Sequence, residues 1–204
     1  MAKIAIITRM AFDKDLTKNQ TLLFEEYLIR LNSQTYKGFE VFILADSVRA
    51  FKGSAKNKQF LEMQCSRLPF VHVKDPERFK YDIEIRLDFD DVVSPGFIQD
   101  VLNQYTQSKH DNLIISYQPV MVDNETGEQW KHPSQYSKDC PSMCMALCQK
   151  GDKARGVYDR PHNLMYNETK WPVIVRPEGF FYLTVHEENA LSTLPTDPKM
   201  RIIR

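Results

Sequence analysis

The first 44 residues constrain the fold more than any other part of the chain. Ile4–Thr8 is a short, unbroken apolar run rich in isoleucine, the pattern of a strand covered on both faces. A polar stretch follows from Arg9 to Gln20. Leu22, Leu23, Tyr27, Leu28 and Leu31 then recur at helical spacing, with Glu25, Glu26 and Arg30 between them. Tyr36-Lys37-Gly38 breaks that period, and Val41–Leu44 is a second apolar run. Two buried strands joined by an amphipathic helix make a right-handed parallel crossover. The chain therefore opens as an α/β protein.

Further along, the sequence predicts a short helix over Lys58–Ser66 and a strand at Phe70–Val73. Tyr81–Asp88 alternates as a strand, and a helix starts near Pro95 and runs to about Gln107. Leu113–Ser116 reads as a strand, and Asn124-Glu125-Thr126-Gly127 as a hairpin turn. The C-terminal third is broken by prolines, with strands at Val173–Val175 and Phe180–Val185. Parallel α/β first and mixed β later predict one domain over 1–194. A ligand-binding half covers about 1–116 and a smaller half about 117–194. Residues 195–204 follow as a loosely held tail.

Composition limits the alternatives. Of 204 residues, 27 Lys and Arg balance 27 Asp and Glu, which argues against bulk electrostatic capture of nucleic acid or an anionic membrane. No stretch supplies the roughly 18 apolar residues of a membrane helix. The N-terminus lacks the basic start and cleavage site of a signal peptide, so the expected compartment is the cytoplasm. Cys140, Cys144 and Cys148 recur every fourth residue; on a helix they would share one face. The apolar residues between them and the lack of C-x-x-C spacing favour buried thiols over a metal cluster.

Arg86-Leu87-Asp88-Phe89-Asp90-Asp91 is the string richest in chemistry. Three carboxylates within four residues repel one another, and at the end of an apolar strand that repulsion is costly unless a cation sits there. Ligands of open α/β sheets bind beyond the carboxyl ends of the strands. In an extended segment Asp88 and Asp90 point the same way, with Asp91 in the turn. Such oxygen ligands suit Mg²⁺ or Mn²⁺ bridging a diphosphate. The competing reading is an acidic loop whose Ser94 caps the following helix.

The order of motifs resembles family-2-type glycosyltransferases of GT-A fold. Leu31–Val41, with Gln34-Thr35-Tyr36 at its centre, is similar to the stretch that ends their first helix, and Leu87–Asp91 is similar to their L-D-x-D-D motif. Pro161–Met165 and Tyr182–Asn189 resemble elements of the rhamnosyltransferase group within them. The resemblance implies a GT-A-type, mostly parallel sheet flanked by helices, with a smaller mixed-β acceptor side. It implies transfer of a sugar from a nucleoside-diphosphate donor to a glycan, lipid-linked, protein or nucleic-acid acceptor. On its terms Mn²⁺ or Mg²⁺ is held by Asp88, Asp90 and Asp91, with His186 as the late ligand and His162 as its alternative. Thr8, Arg9, Asp46, Arg86 and Asp88 contact the nucleotide sugar. Asp159 is the base of an inverting reaction, ahead of Asp139 and Glu178. Trp130, Tyr136, Trp171 and Tyr182 are aromatic candidates for a sugar cleft. A phosphatase is disfavoured because the D-x-D comes after several elements. A nucleotidyltransferase is disfavoured because Arg9–Gln20 holds no glycine. A catalytically degenerate binding or assembly module is the remaining rival.

Overall fold

The computed structural model describes residues 1–10, 15–44, 55–132, 144–151, 153, 155–159, 162–185 and 194–202, with only the backbone of 55, 162, 163 and 167. β1 (Ile4–Arg9) leads into α1 (Lys18–Asn32) and β2 (Phe39–Leu44). α2 (Ala55–Cys65) and β3 (Val71–His72) follow. β4 (Ile83–Arg86), β5 (Val92–Val93) and α3 (Phe97–Gln107) complete the first half. The second half contains β6 (Asn112–Asp123), β7 (Gln129–Lys131), β8 (Met145–Gln149), α4 (His162–Thr169) and β9 (Val173–Val185). A 3-10 turn at Pro198–Met200 precedes β10 (Arg201–Ile202).

One sheet runs through both halves, in the order β10-β7-β6-β8-β4-β1-β2-β3 among the described residues. β1 pairs in parallel with β2 and β4, as the opening crossover requires. β8 then enters antiparallel between β4 and β6, and β9 lies parallel to β6. Strand alternation divides the core. Ile4, Ile6, Ile83, Ile85 and Cys148 face α1, α2 and α3, whereas Ala5, Ile7, Ile114, Met145 and Leu147 face Val157 and α4.

Several local expectations change. α1 begins four residues before Leu22 because Thr17 and Gln20 form a reciprocal capping box, with both bonds at 3.1 Å. Cys148 lies in β8 and Cys144 immediately precedes it, so they share no helix face. Residues four apart also share a face in a strand, so the spacing was ambiguous. Both are buried free thiols, and Cys140 lies outside the described residues. The two strands expected at 173–185 are one, with a register shift opposite Tyr117–Pro119; Pro177, Glu178 and Gly179 bulge outward, Gly179 at φ +105°. The tail is also not a free arm, since β10 adds to β7 with Arg201 opposite Trp130.

The start of α3 is held from a distance. Its N-cap is Gly96 rather than Ser94, and no side chain there caps the helix. Gln34 supplies that function: its buried Oε1 accepts from Ile98 N–H at 3.2 Å, while Nε2 donates to Ser94 O at 2.9 Å. Thr35 N–H bonds Pro95 O at 2.9 Å. The residues after α1 thereby grip the segment that follows the acidic string.

Candidate active site

The acidic string leaves the carboxyl end of β4, beside the end of β1. It forms a turn, with Asp91 N–H donating to Asp88 O at 3.3 Å, so strand alternation does not aim its carboxylates as expected. Asp91 is the buried member, 4 % exposed. Its carboxylate accepts from Thr184 N–H on β9, and its Oδ1 is buried without a hydrogen-bond partner. Burial, then the charges of Asp90 and Asp88, push the Asp91 carboxyl well above the usual carboxylate range. Burial also raises Asp88; Arg86 opposes this, Asp90 adds to it, and a Tyr158 hydrogen bond and Arg9 oppose it. Asp90 is half-buried.

The end of β1 contributes Thr8 and Arg9. The Thr8 side chain is fully buried, its hydroxyl bonded to Tyr27 of α1. Arg9 is exposed. Arg86 lays its guanidinium over the Tyr158 ring, 4.8 Å from the centroid, and its Nε is buried without a partner. Thr8, Arg9, Arg86, Asp88, Asp90 and Asp91 thus gather at one end of the sheet. Asp46, Tyr136, Asp139 and His186 lie outside the described residues, and His162 is described only by its backbone in α4.

Asp159 stands in a different set of contacts. Its Oδ2 accepts from Gly156 N–H at 2.8 Å, and Arg78 Nη2 lies 3.2 Å from both oxygens. Glu178 sits on the exposed bulge of β9, and Trp171 packs against the second core cluster. Trp130, on β7, packs against the first. Sequence reasoning missed Tyr27 and Tyr158. Tyr27 read as a helix-face apolar residue, and Tyr158 was passed over for its neighbour Asp159.

A cavity of about 470 Å³ opens beside the acidic turn, a size typical of small-molecule sites. Glu26 and Arg30 of α1, Asp90, Asp91, Gln129 and Tyr182 are among its lining residues. Among the described residues no three His, Cys, Asp or Glu side chains converge as a self-contained metal cage.

Behind the site, buried Glu84 accepts from Val157 N–H at 2.9 Å. Burial raises its carboxyl above the ordinary range, Val157 N–H opposes this, and Asp159 adds to it. A raised carboxyl contributes stability fully present at pH below its unfolded value and lost as pH rises through the folded one. Glu84→Gln keeps an acceptor for Val157. Denaturant melts should coincide with wild type near pH 3 and favour the variant by on the order of 1 kcal/mol at pH 7. A wild type that gains on the variant with rising pH would contradict this.

The central sheet flanked by helices, with the family and the solved structures that it matches, makes this a GT-A-type, family-2-like glycosyltransferase fold. A sequence profile described as "Putative rhamnosyl transferase" matches residues 60–196, and the chain belongs to that family. Among solved structures, it is similar to residues 1–349 of S. aureus TarS in complex with UDP-GlcNAc. That match has a TM-score of 0.58 and 13 % identity, covering 97 % of this chain and 62 % of that one. The UDP complex of the same fragment matches at 0.52 and 15 %, covering 90 % and 60 %. A longer TarS structure matches at 0.53 and 14 %, covering 90 % and 37 %. The chain therefore spans about 60 % of the length of the TarS fragment. No curated protein sequence matches it significantly. No described helix is long and apolar enough to cross a membrane.

Proposed function

We propose that the chain carries out metal-dependent transfer of a sugar from a nucleoside-diphosphate donor to a hydroxyl-bearing acceptor. The observation that carries this reading is the Asp88–Asp91 turn beyond β4, with a buried Asp91 oxygen left without a partner. A divalent cation fits those oxygens. Mg²⁺-type ions take one or two carboxylates and fill the rest of their shell from substrate phosphates and water, so an incomplete cage suits the role. Asp90 and Asp91 are the assigned ligands, with Asp88 beside them. His186 remains the late-ligand candidate, and Thr184, two residues before it in the chain, already bonds Asp91.

When bound, Mn²⁺ or Mg²⁺ would offset the charge that builds on the departing diphosphate. The chain's own groups supply the rest. Arg9 and Arg86 offer fixed positive charge next to the phosphates. Asp46 is assigned to the base or ribose. Asp159 is the candidate base of an inverting transfer, oriented by Arg78 and Gly156 N–H. The adjoining cavity accommodates a sugar ring. UDP is the first nucleotide to test, because the similar TarS structures hold UDP and UDP-GlcNAc. The alternative reading is a catalytically degenerate binding or assembly module.

Hydrolysis of UDP-GlcNAc and a nucleoside-diphosphate rhamnose, with and without Mn²⁺, separates the two. Transfer chemistry predicts slow, Mn²⁺-dependent release of nucleoside diphosphate that Asp90→Ala abolishes. Binding of UDP with no release from any donor, with or without metal, favours the binding module.

A further inference from the structure

We propose that Gln34 is a positioning residue of the acidic turn, holding from the end of α1 the segment through which that turn enters α3. The proposal rests on the reading of the turn as a metal–diphosphate site. Gln34 is 1 % exposed. Its Nε2 donates to Ser94 O at 2.9 Å, and its Oε1 accepts from Ile98 N–H at 3.2 Å. A carbonyl oxygen only accepts and a backbone N–H only donates, so these two partners fix which way the amide points. Ser94 O also accepts from Phe97 N–H at 3.0 Å, which occupies its second lone pair. Thr35 adds a further grip, with its N–H at 2.9 Å and its hydroxyl at 3.2 Å from Pro95 O. An ionised glutamate has no hydrogen for Ser94, and methionine offers neither a hydrogen nor an oxygen.

The acidic turn is thereby fixed at both ends. Upstream, Leu87 N–H donates to Ile7 O of β1 at 3.3 Å. Downstream, Val92 and Val93 pair with Tyr182 and Phe181 of β9, and Ser94 N–H donates to Phe180 O at 3.0 Å. Ser94 is thus bonded to β9 through its N–H and to Gln34 through its carbonyl. Asp88–Asp91 span the gap between Leu87 and Val92, so a shift at Ser94 reaches the carboxylates through two residues of β5. Groups that orient metal ligands from outside typically change metal affinity by about 10–100-fold when removed. Gln34 acts one step further out, through the backbone, which places it at the lower end of that range.

Gln34→Met keeps the length of the side chain and removes both bonds. Gln34→Asn stays polar but falls one methylene short, and carries the test if the methionine variant does not fold. Tyr81→Phe is the control. It loses a hydrogen bond of 2.6 Å to Glu40 from a buried ring at the other end of β4, away from the turn. The experiment is calorimetric binding of UDP, with and without Mn²⁺, to wild type and these variants, with thermal melts of each. The Gln34 variant is expected to melt lower than wild type and to bind metal-free UDP as wild type does. It should lose about 10-fold of the tightening that Mn²⁺ confers, whereas Tyr81→Phe loses stability and keeps that tightening. Undiminished Mn²⁺ tightening in a folded Gln34 variant overturns the proposal and leaves the metal site standing. So does an equal loss in Tyr81→Phe, an equal loss of metal-free binding, or failure of both Gln34 variants to fold, each of which marks a merely structural role. A wild type whose UDP affinity ignores Mn²⁺ overturns the metal-site reading and this proposal together.

Discussion

Asp91→Asn should give a protein that melts higher than wild type in metal-free buffer and releases nucleoside diphosphate at least about 100-fold more slowly with Mn²⁺, the scale on which preorganised charge stabilisation is lost. The two effects share one cause. Asp91 is buried beside Asp88 and Asp90, and burial and both charges raise its carboxyl. Without a cation the folded state carries that repulsion, whereas the unfolded chain dilutes it in water. Asparagine keeps an oxygen for Thr184 N–H and turns its amide hydrogens toward the remaining carboxylates. Relief of about 1 kcal/mol corresponds to a rise of roughly 2–4 °C for a chain of this size. The same substitution removes a negative oxygen from the assigned ligand set. A melt lowered by several degrees would show that the carboxylate is a structural acceptor, and unchanged turnover would remove Asp91 from the proposed metal site.

Asp100→Ala should cost about 3–5 kcal/mol, the range for removing one partner of a buried ion pair. Asp100 is 8 % exposed on α3. Arg176 of β9 reaches it with Nε at 2.9 Å and Nη2 at 2.8 Å, and the Tyr117 hydroxyl of β6 donates to it at 2.8 Å. Alanine strands a guanidinium and a buried hydroxyl at once. Three elements meet at this carboxylate, and two bound the site: α3 follows the acidic turn, and β9 delivers Thr184 to Asp91. A fall in Tm on the order of 10 °C is expected. A loss below about 1 kcal/mol would mean that the pair is screened like a surface salt bridge and does not brace the site.

The opening crossover was legible because its two periods differ sharply within short windows. Ile4–Thr8 and Val41–Leu44 are continuous apolar runs, and the leucines between them repeat at helical spacing. The acidic string was legible because charge crowding after an apolar strand is a local property. Gln34 was visible only as part of a resemblance, since its partners Ser94 and Ile98 lie about 60 residues on. Met145–Gln149 carried no decisive signal, because cysteines four apart suit a helix face and a strand face equally. Only pairing with β4 and β6 on either side makes it a strand. Asp46 and His186 lie outside the described residues, so their assignments stand as proposals.

By itself the sequence determined an α/β chain that opens with a parallel crossover and places three carboxylates beyond its fourth strand. Periodicity and charge spacing are written within a few residues, and neighbours along the chain are enough to express them. Tertiary structure alone decided which of those carboxylates is buried and that Thr184 bonds it. Desolvation and hydrogen-bond partners come from segments distant in the chain, and only the packed sheet brings β9 and the Tyr158 loop to the end of β4.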